Sequence, residues 1–126
     1  MRRALVAIAL TSLLLVSACD FGPKGPGQLT GRLRSGPIPV GAIVLEFTGS
    51  GITGFSGSGE TRLFFAESDP GVFQVVMVTP TPGDMSFRIS VQDVEAPFPT
   101  VTAVQAVGGD NGVIANLTGI TVAVKN

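Results

Sequence analysis

Met85-Ser86-Phe87-Arg88-Ile89-Ser90-Val91-Gln92 places an apolar side chain at every odd position and a polar one at every even position. Successive side chains of a strand point to opposite faces, so this octet reads as a strand with one face in a core and the other in water. Its neighbours repeat the rhythm. Leu29, Gly31 and Leu33 alternate with Thr30, Arg32 and Arg34, and Ile43, Leu45 and Phe47 alternate with Val44, Glu46 and Thr48. Residues 61–66 and 100–107 are weaker strands. Residues 72–78 are apolar on both parities except Gln74, the pattern of a central strand covered on both sides, or of one whose second face meets something else. In residues 113–125 the apolar parity is odd at Val113, Ala115 and Leu117 and even at Ile120, Val122 and Val124, which predicts a bulge or tight bend at Gly119.

Turn residues separate these runs at 36–39, 49–59, 69–71, 80–84, 97–99 and 108–112. With 17 Gly, 9 Pro and no helical period past the first twenty residues, the pattern predicts an all-β chain: an antiparallel β-sandwich of about seven to eight strands in residues 28–126. No internal repeat is visible. The strand rhythm, residues 41–47 and the closing residues 114–122 resemble the immunoglobulin-like and cohesin-like sandwiches that bacteria export as lipoproteins. The Cys pair and core Trp of antibody domains are absent from this sequence.

Arg2 and Arg3, an apolar run over residues 4–16 broken only by Thr11 and Ser12, and small residues Ser17 and Ala18 have the order of a cleaved secretory signal, residues 1–18. The run is shorter than the ~20 residues a spanning helix needs. Val16-Ser17-Ala18-Cys19 resembles the lipobox of bacterial lipoproteins, with Val16 where leucine is commonest. That resemblance implies a diacylglyceryl thioether on Cys19, an acyl group such as palmitate on its new amine, and anchoring to a membrane. Asp20 is similar to the residue that retains enteric lipoproteins in the inner membrane, a rule that varies among phyla and leaves the leaflet open. Gly and Pro supply five of the seven residues 21–27, so residues 19–27 read as the lipidated Cys and a spacer of up to ~20 Å at ~3.3 Å per residue.

The 126 residues contain one Cys and no His, Trp or Tyr. A Ser-His-Asp or Cys-His catalytic centre is therefore excluded, as is a zinc, copper or haem site needing several nitrogen or sulfur ligands. The 8 Lys+Arg and 9 Asp+Glu become six and nine once Arg2 and Arg3 leave with the signal, a mildly acidic balance that attracts neither nucleic acid nor an anionic bilayer. Lys24 and Lys125 stand at the two ends of the mature chain and read as solubilising charges.

Four features carry candidate chemistry. Gly49-Ser50-Gly51-Ile52-Thr53-Gly54 has the spacing G-x-G-x-x-G, but no helical pattern follows to present a phosphate site, and a hairpin loop is expected. Asp93 and Glu95 lie two apart and, with Asp110 and Asn111 of the Gly-rich turn, would make a weak metal or carboxylate-pair site if folding joined them. Charges that blunt a strand edge are the plainer reading. Asn116-Leu117-Thr118 fits N-x-T and is expected to be a strand segment. Finally, Phe64 and Phe65 are adjacent and must face opposite ways in a strand. If residues 61–66 and 72–78 are neighbours, Phe64 or Phe65 joins Val72, Val76 and Val78 in an apolar binding face, unless the 49–59 loop covers it.

These observations predict a lipid-anchored, exported cell-envelope β-sandwich acting as a non-enzymatic interaction or structural module. Its expected partners are the membrane, through Cys19, and an envelope protein or glycan; no cofactor and no nucleic acid is expected. The alternative is a carbohydrate- or calcium-dependent adhesion module, which convergence of Asp93, Glu95 and Asp110 would favour. Phe without Trp or Tyr argues against sugar stacking. A carboxylate-based hydrolase is a third reading.

Overall fold

A computed structural model describes residues 25–126. Eight strands follow one another: β1 (Gly27–Arg34), β2 (Val40–Thr48), β3 (Ile52–Gly57), β4 (Arg62–Asp69), β5 (Val72–Val78), β6 (Met85–Val91), β7 (Thr100–Gly108) and β8 (Thr121–Lys125). They form two four-stranded sheets with the orders β3-β6-β1-β8 and β4-β5-β2-β7, every pairing antiparallel. The described residues contain no helix, and the two sheets pack face to face as a β-sandwich.

The alternation in the sequence is what joins the sheets. In the first sheet Leu29 pairs with Ile89, Gly31 with Phe87 and Leu33 with Met85, all turned inward. In the second, Ile43, Leu45 and Phe47 pair with Met77, Val75 and Phe73, and all six are buried. Phe47 sits at the centre, its ring 5.0 Å from that of Phe55 on β3 and 5.7 Å from that of Phe87 on β6. Each such side chain contributes on the order of 1.5–3 kcal/mol on burial, so these positions hold the two layers together. Local chemistry closes the one hairpin within the second sheet. Between β4 and β5, Pro70 is followed by Gly71 at φ 75°, a left-handed value that a side chain would resist.

Three expectations need correction. Residues 49–59 are not a loop: Gly49 to Gly51 turn the chain, and Ile52–Gly57 form β3 at the edge of the first sheet, with Phe55 in the core. This segment therefore does not cover the second sheet. The C-terminal stretch is a strand only over Thr121–Lys125; upstream, Val113 makes a single bridge to Val107. Asn116 forms no strand either. Its Oδ1 accepts from the Thr118 amide at 3.1 Å and the Thr118 hydroxyl at 2.6 Å, and the chain turns through Gly119, where the parity changes. Side-chain oxygens that bond the backbone two residues on favour such turns over ladders. The sandwich begins at Gly27, one residue before the expected boundary. The expected signal, Cys19 and most of the expected spacer lie outside the described residues.

Candidate interaction face

The two sheets differ in what they turn outward. On β1 the outward residues are Gln28, Thr30, Arg32 and Arg34, all exposed, as befits a wetted face. On the second sheet the pairings lay out a different surface. One row runs Phe64–Val76–Val44 across β4, β5 and β2 and ends at Gln105 on β7. The row beside it runs Arg62–Val78–Ala42–Val107, and the row on the other side Ala66–Gln74–Glu46–Thr102. Phe64 is 64% exposed, Val76 37% and Val78 39%. The β2–β7 register skips one residue between Gln105 and Ala103, and the skipped Val104 is 52% exposed. A bulge of this kind leaves its extra residue outside the ladder.

Of the candidate face, which was to join one of Phe64 and Phe65 to Val72, Val76 and Val78, the residues Phe64, Val76 and Val78 form a contiguous patch. Val72 has the same parity but lies beyond Gln74, half-buried against the β4–β5 turn, where its register partners are Asp69 and Thr48. Phe65 faces the other way. It pairs with buried Val75, and its ring lies 5.3 Å from that of Phe55 and 6.5 Å from that of Phe73. There it closes the gap between the β3 and β4 edges, and edge position alone leaves it partly exposed. Two members of the patch were not anticipated. Val44 stands at a polar parity of its strand and was legible as an exception; Val104 becomes exposed through a bulge that no local signal announces. Polar order bounds the patch, since Gln74 Nε2 donates to Glu46 Oε2 at 2.8 Å.

The acids do not gather. Asp93 and Glu95 follow the end of β6 and precede the start of β7, whereas Asp110 and Asn111 follow the end of β7. A nine-residue strand separates them, about 27 Å at ~3.3 Å per residue. Each aspartate also serves its own turn. Asp93 Oδ1 accepts from the Glu95 amide at 2.9 Å, and Asp110 Oδ1 accepts from the Gly112 amide at 3.0 Å. A cavity of about 200 Å³ beneath the β6–β7 connection is lined by Asp93 but not by Glu95. Among the described residues, no three His, Cys, Asp or Glu side chains are grouped closely enough to hold a metal ion. Saturating EGTA is therefore expected to leave the melting temperature within about 1 °C of its untreated value, because nothing that binds only the folded state is removed. A fall of several degrees reversed by calcium would show a site that this geometry lacks.

Other grooves offer less. At the end of the sandwich where β3 meets β4, a polar groove of about 480 Å³ holds Glu60 and Asp84. Both carboxylates are engaged, Glu60 by the Thr81 hydroxyl at 3.2 Å and Asp84 by the Ser35 amide at 3.0 Å and Arg32 at 3.7 Å. The G-x-G-x-x-G spacing falls on a turn and a strand, so no helix N-terminus is available for a phosphate. No family model matches this chain, and neither a curated protein nor a solved structure matches it.

Proposed function

We propose that this chain is a lipid-anchored β-sandwich of the bacterial cell envelope that works as a non-enzymatic interaction or structural module, using the outer face of its second sheet. The lipobox-like Val16-Ser17-Ala18-Cys19 supports the address, and the absence of His with a single Cys supports the non-enzymatic reading. One observation carries the choice of surface: Phe64, Val76 and Val44 form an apolar row with Val78 and Val104 beside it. An antiparallel sheet with one face in water ordinarily alternates to polar residues on that face, and contiguous apolar patches mark interaction sites. The opposed sheet of the same domain follows the ordinary rule, so the departure is local to one face.

Val76→Asp tests this reading. Val76 is partly exposed on the outer face, so the new carboxylate reaches water and the domain should fold with a loss of about 1 kcal/mol or less. The expected result is a folded protein that no longer forms the cross-linked species seen with the parent chain in intact envelopes. A folded variant that cross-links like the parent would remove this face from consideration.

A further inference from the structure

We infer that the partner of this face is a second copy of the chain, packed sheet to sheet about a twofold axis at Val76, with Arg62 of each copy opposite Glu46 of the other. The inference rests on the reading of the second sheet as an interaction surface, and it specifies the occupant.

Charge is placed on the face in a self-complementary way. Three rows centred on Val76 hold nine outward positions on β4, β5 and β2: Arg62, Val78 and Ala42; Phe64, Val76 and Val44; Ala66, Gln74 and Glu46. One cation and one anion stand among them. They occupy diagonal corners, two strands and four residues apart, about 16 Å at the ordinary spacings of a sheet. Val76 is the midpoint of that diagonal. A twofold axis lying in the interface, through Val76 and across the diagonal, exchanges the two corners. Each Arg62 then meets a Glu46, two equivalent ion pairs form, and no like charges are opposed. The other two corners, Ala42 and Ala66, lie near the axis, where small side chains let the faces close.

The side chains are free to do this. The one ion pair among the described residues joins Arg32 to Asp84, so Arg62 is uncommitted. Glu46 accepts from Gln74 Nε2 on Oε2, which leaves Oε1 for a partner. Self-complementarity of this kind is what an isologous dimer requires: the same patch on both subunits, with residue i meeting j and j meeting i. A face of four strands, about 20 Å on a side, buries roughly 800 Å² over two copies, below the ~1,200 Å² of standard interfaces. The pairing is therefore weak in dilute solution and gains from confinement of both copies to one membrane, which raises their effective concentration.

The test is a thiol on the axis in the full-length chain. Val76→Cys places one thiol of each copy at the axis; facing sheets stand ~10 Å apart, beyond the separation a disulfide tolerates, so a short bis-maleimide is the bridge. Thr30→Cys, at an exposed site at the middle of the outer face of the first sheet, is the control and carries the same Cys19. A short bis-maleimide added to intact envelopes should convert Val76→Cys to a covalent homodimer and leave Thr30→Cys monomeric. In the Val76→Cys background, Arg62→Glu or Glu46→Arg alone should reduce the dimer roughly tenfold, because each opposes like charges, and the two together should restore it. Both substitutions are on the surface and leave the core intact. Rescue by the double swap requires that the two charges meet across copies of one chain.

Equal cross-linking of the two thiols, or a double swap that stays as poor as the singles, would overturn the dimer. A Val76→Cys adduct with a different protein would also overturn it while leaving the interaction face standing. If no adduct formed and Val76→Asp were also without effect, both the dimer and the face would fall.

Discussion

Gly31→Val is expected to lower the melting temperature of the domain by roughly 12–24 °C, the equivalent of about 3 kcal/mol for a domain of this size. Gly31 faces the core from the middle of β1, paired with Phe87 on β6, and a Cβ at this position would fall on the ring of Phe87. That ring has nowhere to go. Phe87 is wholly buried, and Phe47 stands 5.7 Å away with its own ring against Phe55. The absent side chain is thus part of the packing: the glycine supplies the space that its cross-strand neighbour fills. Gly54→Ala is the contrasting case, since its Cβ would lie 3.7 Å from Phe65 Cζ, an ordinary contact, and a change of about 0.5 kcal/mol or less is expected. Thermal melts of the two variants measure the difference. In a double-mutant cycle, Phe87→Ala should cost less in the Gly31→Val background than alone, because the valine occupies the cavity it leaves. A Gly31→Val protein that melted with the parent would mean that β1 and β6 do not approach as described.

What made the fold legible was burial on one side. Met85, Phe87, Ile89 and Val91 are all buried, as are Ile43, Leu45 and Phe47, because a strand with one wet face writes its orientation into the sequence. Where that rule lapses, the strand pattern disappears from the sequence. β3 offers only Ile52 and Phe55 among Gly, Ser and Thr, so local propensity favours a loop; pairing with β6 and the seat that Phe55 finds between Phe47 and Phe73 override it. Residues 113–117 alternate like a strand but meet β7 at a single bridge, and Asn116 turns the chain back.

Strand order lay beyond the sequence for a different reason. Apart from β4–β5, the ladders join strands distant in the chain, β1 to β6 and β8, β2 to β5 and β7, and β3 to β6. Nothing local to a strand records a partner dozens of residues away. The candidate face was half legible on the same grounds. The surplus valines of β5 and the opposed facing of Phe64 and Phe65 follow from period-2 geometry, whereas choosing Phe64 as the outward ring needed the register with Val76 and Val75. Val44 was written as an exception to its own strand's alternation. The diagonal of Arg62 and Glu46 exists only once β4, β5 and β2 are laid side by side.

Cys19→Ser is expected to abolish lipid incorporation and to send the mature-length chain from the detergent phase to the aqueous phase, a shift of orders of magnitude in partitioning. The proposed anchor is chemical: each buried methylene contributes ~0.8 kcal/mol, one chain holds a protein only marginally, and two or three hold it stably. No described helix is long and apolar enough to cross a membrane, and the acidic excess that the proposed removal of Arg2 and Arg3 would leave does not draw the domain to anionic lipid. Replacing sulfur by oxygen removes the nucleophile that forms the thioether and little else. The sandwich starts at Gly27, so the variant should melt with the parent. Labelled palmitate and chain mass together read the outcome. The parent should carry label at mature length. The variant should carry none, and any variant chain left in the detergent phase should be heavier by the uncleaved residues 1–18, whose apolar run would hold it there. Unlabelled Cys19→Ser protein of mature length in the detergent phase would overturn the lipid anchor. That result would also remove the confinement that strengthens a weak pairing of the second sheets, so the homodimer would then have to persist at dilution to survive.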